Sequence, residues 1–255
     1  MTETVHGRRV AVTGAASGIG AATARKLSAD GWRVACLDRN LEGARATAGD
    51  RGIAVQIDVA DEASTVAAFA QVREAFGGLD ALVTAAGVIE TVPFLDTTVE
   101  QFRRLFDINV IGSFLSVREG AKLMQPGSRI CMVASISSYT GGGYVATGSY
   151  ATSKGAVLTM MKSCARALGD KGIAVSAVAP GFIDTPFVAS AMSDPVRRAQ
   201  VVAVVGKVGT AEQIAECAAW LISPGADFVH GSTSIAEGGV LMHWCLPGSR
   251  RLERT

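Results

Sequence analysis

Short apolar, β-branched runs alternate with longer helical stretches along nearly the whole chain, and this alternation limits the possible folds most. The strand-like runs are Arg9–Thr13, Arg33–Leu37, Ala54–Ile57, Ala81–Thr84, Arg129–Ala134, Ala174–Val178 and, more weakly, Thr233–Ala236. Helical patterns lie near 19–29, 62–76, 99–124, 151–169 and 211–222, with a shorter one within 40–50. Strands that are apolar throughout, rather than alternating, belong in a parallel sheet covered on both faces. Strand–helix alternation then gives right-handed crossovers and a doubly wound α/β sheet. Seven strands fit one domain over 1–255, and no linker or repeat interrupts it. The 182–209 stretch breaks the rhythm and is long enough to serve as a lid over a ligand. The tail, 240–255, lies beyond the last strand and is expected to be partly loose.

Composition narrows the partners. Hydrophobic residues make up 49% of the chain and charged residues 18%, enough apolar material for a sizeable core. A net charge of +1 points to neither nucleic acid nor an acidic surface as partner. No window reaches the roughly 18 uninterrupted apolar residues of a membrane span, and the N-terminus does not read as a signal peptide. Five cysteines lie scattered without a CxxC pair, as buried thiols in a reducing compartment do. A cytoplasmic location is the expectation. The three histidines are far apart, so no metal site is expected.

TGAASGIG at 13–20 follows the first strand and opens the first helix. Gly14 permits a tight turn, Gly18 lets backbone approach a pyrophosphate, and Gly20 lets helix and strand pack closely. Ser17 and Ile19 stand in the same turn, where free N–H groups and the helix dipole favour phosphate. The second strand ends in Asp38, placed to accept hydrogen bonds from adenosine ribose hydroxyls and to repel a 2′-phosphate. That favours NAD. Arg39 follows directly and can reach a 2′-phosphate, so NADP stays open. Asp58 and Val59 end the third strand, where they can line an adenine pocket.

SYATSKGA at 149–156 places Lys154 four residues after Tyr150. That spacing stacks the two side chains on one helix face. A phenol titrates near about 10. Working near neutrality therefore asks for roughly 4 kcal/mol of differential stabilisation of the phenolate.

TGAASGIG, YATSK and PGFIDTP at 180–186, in that order and in matching contexts, resemble the short-chain dehydrogenase/reductase family from Gly7 to Gly239. The resemblance implies a single Rossmann-type domain with a seven-stranded parallel sheet flanked by helices. It also implies reversible hydride transfer between NAD(P) and a small-molecule alcohol or carbonyl. In that family's terms Tyr150 is the general acid/base, and Lys154, with the positive nicotinamide ring, stabilises the phenolate and holds the nicotinamide ribose. Asn109 in NVIGSF distorts its helix and holds a water that links Lys154 to solvent. For the substrate-binding serine, spacing favours Ser137 and the strand end, VAS, favours Ser135; Ser135 is preferred, with Ser137 at the substrate. Ala86 and Gly87 pass close to the cofactor. Pro180, Gly181, Ile183 and Thr185 form the nicotinamide-side turn. The family's NNAG here reads TAAG at 84–87, and its usual sixth-strand Asn is Ser176.

The expected substrate wall is Ile89, Val92, Pro93, Ile136, Tyr144, Phe182, Phe187 and Met192, with Glu90 as a polar contact. It suits a secondary alcohol or ketone with a substantial apolar part. Relatives of this kind are commonly tetramers through the helices holding Asn109 and Tyr150, so a homo-oligomer, tetramer or dimer, is expected. His243 and Trp244 are then candidates to reach a neighbouring subunit.

Overall fold

In the computed structural model, which describes residues 7–143, 146–186, 195 and 208–241, seven strands form one parallel sheet in the order β3-β2-β1-β4-β5-β6-β9. The strands are β1 (Arg9–Thr13), β2 (Arg33–Asp38), β3 (Ile53–Gln56), β4 (Leu79–Thr84), β5 (Met124–Val133), β6 (Ala174–Pro180) and β9 (Thr233–Ala236). Two short strands, β7 (Ile183–Asp184) and β8 (Gly209–Thr210), pair in parallel beside it. The main helices are α1 (Gly18–Ala29), α2 (Leu41–Ala48), α3 (Glu62–Phe76), α4 (Val99–Phe106), α5 (Gly112–Ala121), α6 (Ser137–Thr140), α7 (Gly148–Gly169) and α8 (Ala211–Leu221).

Residues alternate between the two faces of each strand, so each face packs its own core. Val10 and Val12 of β1, with Cys131 and Val133 of β5, meet Leu27 of α1 and Ile214 and Ala218 of α8. Ala11 of β1, with Ile130 and Met132 of β5, meets Phe69 and Val72 of α3 and Val157 and Met161 of α7. Both faces are therefore covered, which is why the strands carry no polar alternation.

Helix starts follow local chemistry. Asp61 accepts from Ser64 N–H at 2.6 Å, and Thr98 with Gln101 and Thr210 with Gln213 form reciprocal caps. Gly77, with φ 73°, closes α3.

Strand order reverses between β1 and β4, and in open α/β sheets ligands sit at the carboxyl ends of the strands there. Several expected bounds shift; β4 begins at Leu79 and β5 at Met124, earlier than expected. The helix expected over 99–124 ends at Ala121 and is broken by a π-helical turn at Asp107–Ile111. The helix expected from 151 begins at Gly148. Among the described residues, no helix is long and apolar enough to cross a membrane.

Candidate active site

The turn after β1 closes on itself so tightly that side chains are excluded. A Cβ on Gly20 would lie 2.1 Å from the carbonyl oxygen of Gly14. Gly14 has φ +71°, and a Cβ there would meet Ala86 backbone at 2.7 Å. The β1 turn and the β4 end are thus in backbone contact, tied by Ala85 N–H to Thr13 O at 3.2 Å and Ala86 N–H to Thr13 Oγ1 at 3.3 Å. Ser17 stands at the N-cap of α1 without a side-chain capping bond, and no acidic residue lies in the first turn. The helix dipole and first N–H groups therefore face the cavity without an opposing carboxylate.

Asp38 at the end of β2 is held by backbone. One carboxylate oxygen accepts from Ala16 N–H at 3.0 Å and the other from Asn40 N–H at 2.8 Å. Ionised carboxylates with two lone pairs per oxygen can accept further bonds in this state. The Asp58 side chain accepts from Ala60 N–H at 3.0 Å.

Across the sheet, Asn109 sits in the π turn, fully buried. Its Oδ1 accepts from Val88 N–H at 2.8 Å, and its Nδ2 donates to Val88 O at 2.9 Å and to Ser153 Oγ at 3.0 Å. A Cβ on Gly87 would lie 3.0 Å from Asn109 Oδ1 and 3.4 Å from Lys154 Nζ. Gly87 is thus the point at which β4, the π turn and α7 converge.

Tyr150 and Lys154 lie one turn apart on α7, both buried. Lys154 Nζ donates to Val133 O at 3.0 Å. Burial alone lowers its pKa to about 8. Burial raises that of the Tyr150 phenol, and a hydrogen bond with the Ser135 side chain opposes the rise. In the free protein the phenol is therefore displaced away from neutrality.

The two serines are separated by geometry. Ser135 hydrogen-bonds Tyr150. Ser137 begins α6, and its N–H donates to Ser135 Oγ at 3.1 Å. That bond occupies a lone pair of Ser135 and leaves its hydroxyl proton available. Spacing favours Ser137; the loop between Ser137 and Tyr150 carries three positive-φ glycines, Gly141–Gly143, with φ of 73°, 120° and 159°.

A cavity of about 340 Å³ runs along these parts. It is lined by Gly14, Ser17, Gly18, Ile19, Gly20, Asp38, Arg39, Asp58, Val59, Ala86 and Gly87. It continues past Ser135, Ser137, Tyr150 and Lys154 to Pro180, Gly181, Phe182, Ile183 and Thr185. Gly181 has no room for a side chain, since a Cβ would meet Glu237 Cα at 2.7 Å. Asn109 stands behind the wall rather than on it.

Ile89 and Ile136 line the cavity, but Val92 and Pro93 do not. Glu90 is turned onto its own loop, accepting from Thr91 N–H at 2.9 Å. Tyr144, Phe187, Met192, His243, Trp244 and most of the 182–209 stretch lie outside the described residues. Of the 240–255 tail, Val240 is buried and lines the cavity, and residues 242–255 lie outside the described residues. Sequence reasoning also missed Arg104 and Ile108, one turn apart on the α4 side of the cavity, and Thr140, Gly142, Gly143 and Ala146.

The family model described as enoyl-(acyl carrier protein) reductase matches residues 14–241. The 2-(R)-hydroxypropyl-CoM dehydrogenase of Xanthobacter autotrophicus is 38% identical over 241 residues, covering 89% of this chain and 96% of that protein. The 3beta-hydroxysteroid dehydrogenase 1 of Eggerthella lenta is 34% identical, covering 95% and 97% respectively. A solved short-chain glucose/ribitol dehydrogenase from Brucella melitensis superposes with a TM-score of 0.87 at 29% identity, over 94% of this chain and 99% of that one. With the cavity, its glycine turn and the Tyr150–Lys154 helix arranged as they are, the chain belongs to the short-chain dehydrogenase/reductase family of oxidoreductases.

Proposed function

We propose that the protein transfers hydride reversibly between NAD(H) and a secondary alcohol or ketone with a substantial apolar part. The observation that carries this reading is one continuous cavity that joins the glycine turn at 14–20 to the Ser135–Tyr150 hydrogen bond.

The residues present fit a nicotinamide dinucleotide. The side-chain-free turn and the uncapped start of α1 suit its pyrophosphate. Asp38, held at the cavity wall, suits the adenosine ribose, and Asp58 and Val59 its adenine. Pro180, Gly181, Ile183 and Thr185 suit the nicotinamide end. When bound, the dinucleotide supplies or accepts the hydride, and its positive ring favours the phenolate form of Tyr150.

The chain's own groups do the rest. Ser135 donates its hydroxyl proton to the substrate oxygen and fixes it beside Tyr150. In oxidation, Tyr150 as phenolate takes the alcohol proton; in reduction, the phenol returns it. Lys154, protonated, holds the ribose and lowers the cost of the phenolate. Asn109 keeps Val88 and the α7 turn in fixed relation.

The apolar wall at Ile89, Ile136 and Val240 suits a hydrophobic substrate body. A second reading, an NADPH-dependent carbonyl or 3-oxoacyl-thioester reductase, draws on Arg39 at the cavity beside Asp38. A homo-oligomer, dimer or tetramer, is supported by Ile111 and Phe114, which are 44% and 46% exposed at the end of the π turn and on α5. Free thiols at Cys36, Cys131, Cys164 and Cys217 support a cytoplasmic location.

The test is direct. NAD and NADP affinities are measured by titration. Turnover is then followed by reduced-nicotinamide absorbance over secondary alcohols from isopropanol through cyclohexanol to a hydroxysteroid. Turnover with NAD, lost in Tyr150→Phe, is expected. Undiminished turnover in Tyr150→Phe sinks the mechanism, and tighter binding of NADP than of NAD favours the second reading.

A further inference from the structure

Hydroxyl side chains at the start of α7 tie it to the connection between β4 and α4. Thr147 Oγ1 donates to Glu90 O at 3.0 Å, and Ser149 Oγ to Thr97 Oγ1 at 3.2 Å. Ser153 is bonded differently. It accepts from Asn109 Nδ2 at 3.0 Å and donates to Tyr150 O at 2.7 Å. Both Ser153 and Asn109 are fully buried.

Proton accounting fixes every direction in this group. Val88 N–H donates to Asn109 Oδ1, so the amide cannot be flipped. The two Nδ2 protons then go to Val88 O and Ser153 Oγ. The one Ser153 proton goes to the Tyr150 carbonyl. Val88 lines the cavity. A single chain of bonds therefore runs from the cavity wall through Asn109 and Ser153 to the turn that carries Tyr150.

We propose that Ser153 is a positioning residue: its hydroxyl couples the Asn109 clamp on Val88 to the helical turn presenting Tyr150 and Lys154. The Tyr150 carbonyl keeps its helical hydrogen bond without Ser153, so α7 persists. What is lost is the register between that turn and the cavity wall. One Nδ2 proton of Asn109 is also left buried without an acceptor, which loosens its hold on Val88. Catalysis is sensitive to displacements of about 1 Å. The inference rests on the proposed role of Tyr150 in proton transfer.

The experiment compares full-length wild type with Ser153→Ala, Ser149→Ala, Tyr150→Phe, Asn109→Ala and the Asn109→Ala/Ser153→Ala pair. Turnover is measured with NAD and cyclohexanol, and hydrogen exchange at the Val88 amide is measured on the same proteins. Ser149 is equally buried on the same helix but outside the chain of bonds, so it controls for structural damage. Ser153→Ala is expected to lower kcat about tenfold with KM little changed and to speed Val88 exchange, while Ser149→Ala does neither. The paired variant is expected to lose no more than Asn109→Ala alone. Val88 exchange unchanged in Ser153→Ala overturns the proposal whatever substrate is used, and so do multiplicative losses in the pair. Tyr150→Phe that still turns over sinks the proposed function instead, and leaves the exchange result to judge the coupling.

Discussion

Lys154 Nζ lies 5.9 Å from the centroid of the Tyr150 ring and donates a hydrogen bond to Val133 O. The two side chains are thus neighbours on one helix face in the free protein. Their electrostatics are set by burial, which disfavours the charged form of both groups.

That burial has a pH signature. Lys154 titrates at about 8 when folded, against 10.5 for an ordinary lysine. The unfolded chain therefore binds more protons than the folded one once pH passes about 8, and stability rises with pH there. From pH 8 to 9 the gain is about 1 kcal/mol. Over the same range Cys36 and Cys131, pushed up to about 12 by burial, act oppositely, because the unfolded thiols already ionise near pH 9. Denaturant melts should show the wild type gaining about 1 kcal/mol relative to Lys154→Met between pH 8 and 9, the thiol contribution being common to both.

The serine assignment is open to a two-residue comparison. Ser135→Ala is expected to lower kcat by about two to three powers of ten, since it removes the donor at the reacting oxygen. Ser137→Ala removes a hydroxyl but keeps the N–H that orients Ser135, so its activity should stay within a few-fold. Steady-state kinetics on the two variants decide between them; the reverse order would reassign the serine.

Two glycines offer opposite outcomes. Gly20→Ala drives a methyl into the Gly14 carbonyl, and neither backbone can yield without opening the turn. Loss of NAD binding with destabilisation of about 3 kcal/mol or more is expected. Gly155, inside α7, has nothing within 4 Å of where a Cβ would stand. Gly155→Ala should therefore stabilise the fold by about 1 kcal/mol. Thermal melts and dinucleotide titration check both.

Thr84 takes the first position of the family's NNAG, and its buried Oγ1 has no hydrogen-bond partner among the described residues. Removing an unmatched hydroxyl relieves a desolvation cost of about 1 kcal/mol. Thr84→Val should raise the melting temperature and leave NAD affinity unchanged. A lower melting temperature would mean that the hydroxyl is solvated in the native state.

The strands were legible because seven β-branched runs carry no competing helical period, and β1 and β9 match their expected bounds. The glycine turn was legible because steric exclusion leaves a residue-type mark: only glycine fits at 14 and 20. The π turn left only Asn109, whose distortion of its helix the family resemblance implies, and no mark in the apolar pattern. One residue too many in a helix does not disturb an apolar pattern enough to show, so 99–124 read as continuous. Between Ser135 and Ser137 the strand end and the count from tyrosine point different ways, because that count depends on a loop whose length no local pattern fixes. Arg104 and Val240 reach the cavity through the packing of α4 and of the chain after β9, which no local pattern encodes.

The π turn makes α4 and α5 a jointed rod with two phases. Before it Arg104, and within it Ile108, look into the cavity; after it, Gly112 presses on Val59, where a Cβ would meet Val59 Cγ2 at 2.7 Å. Deleting one residue from 107–111 would shorten the rod by only about 1.5 Å, yet turn one half against the other by about 100°. Length is therefore the quantity under tightest constraint here. The segment can exchange side chains far more readily than it can gain or lose a residue.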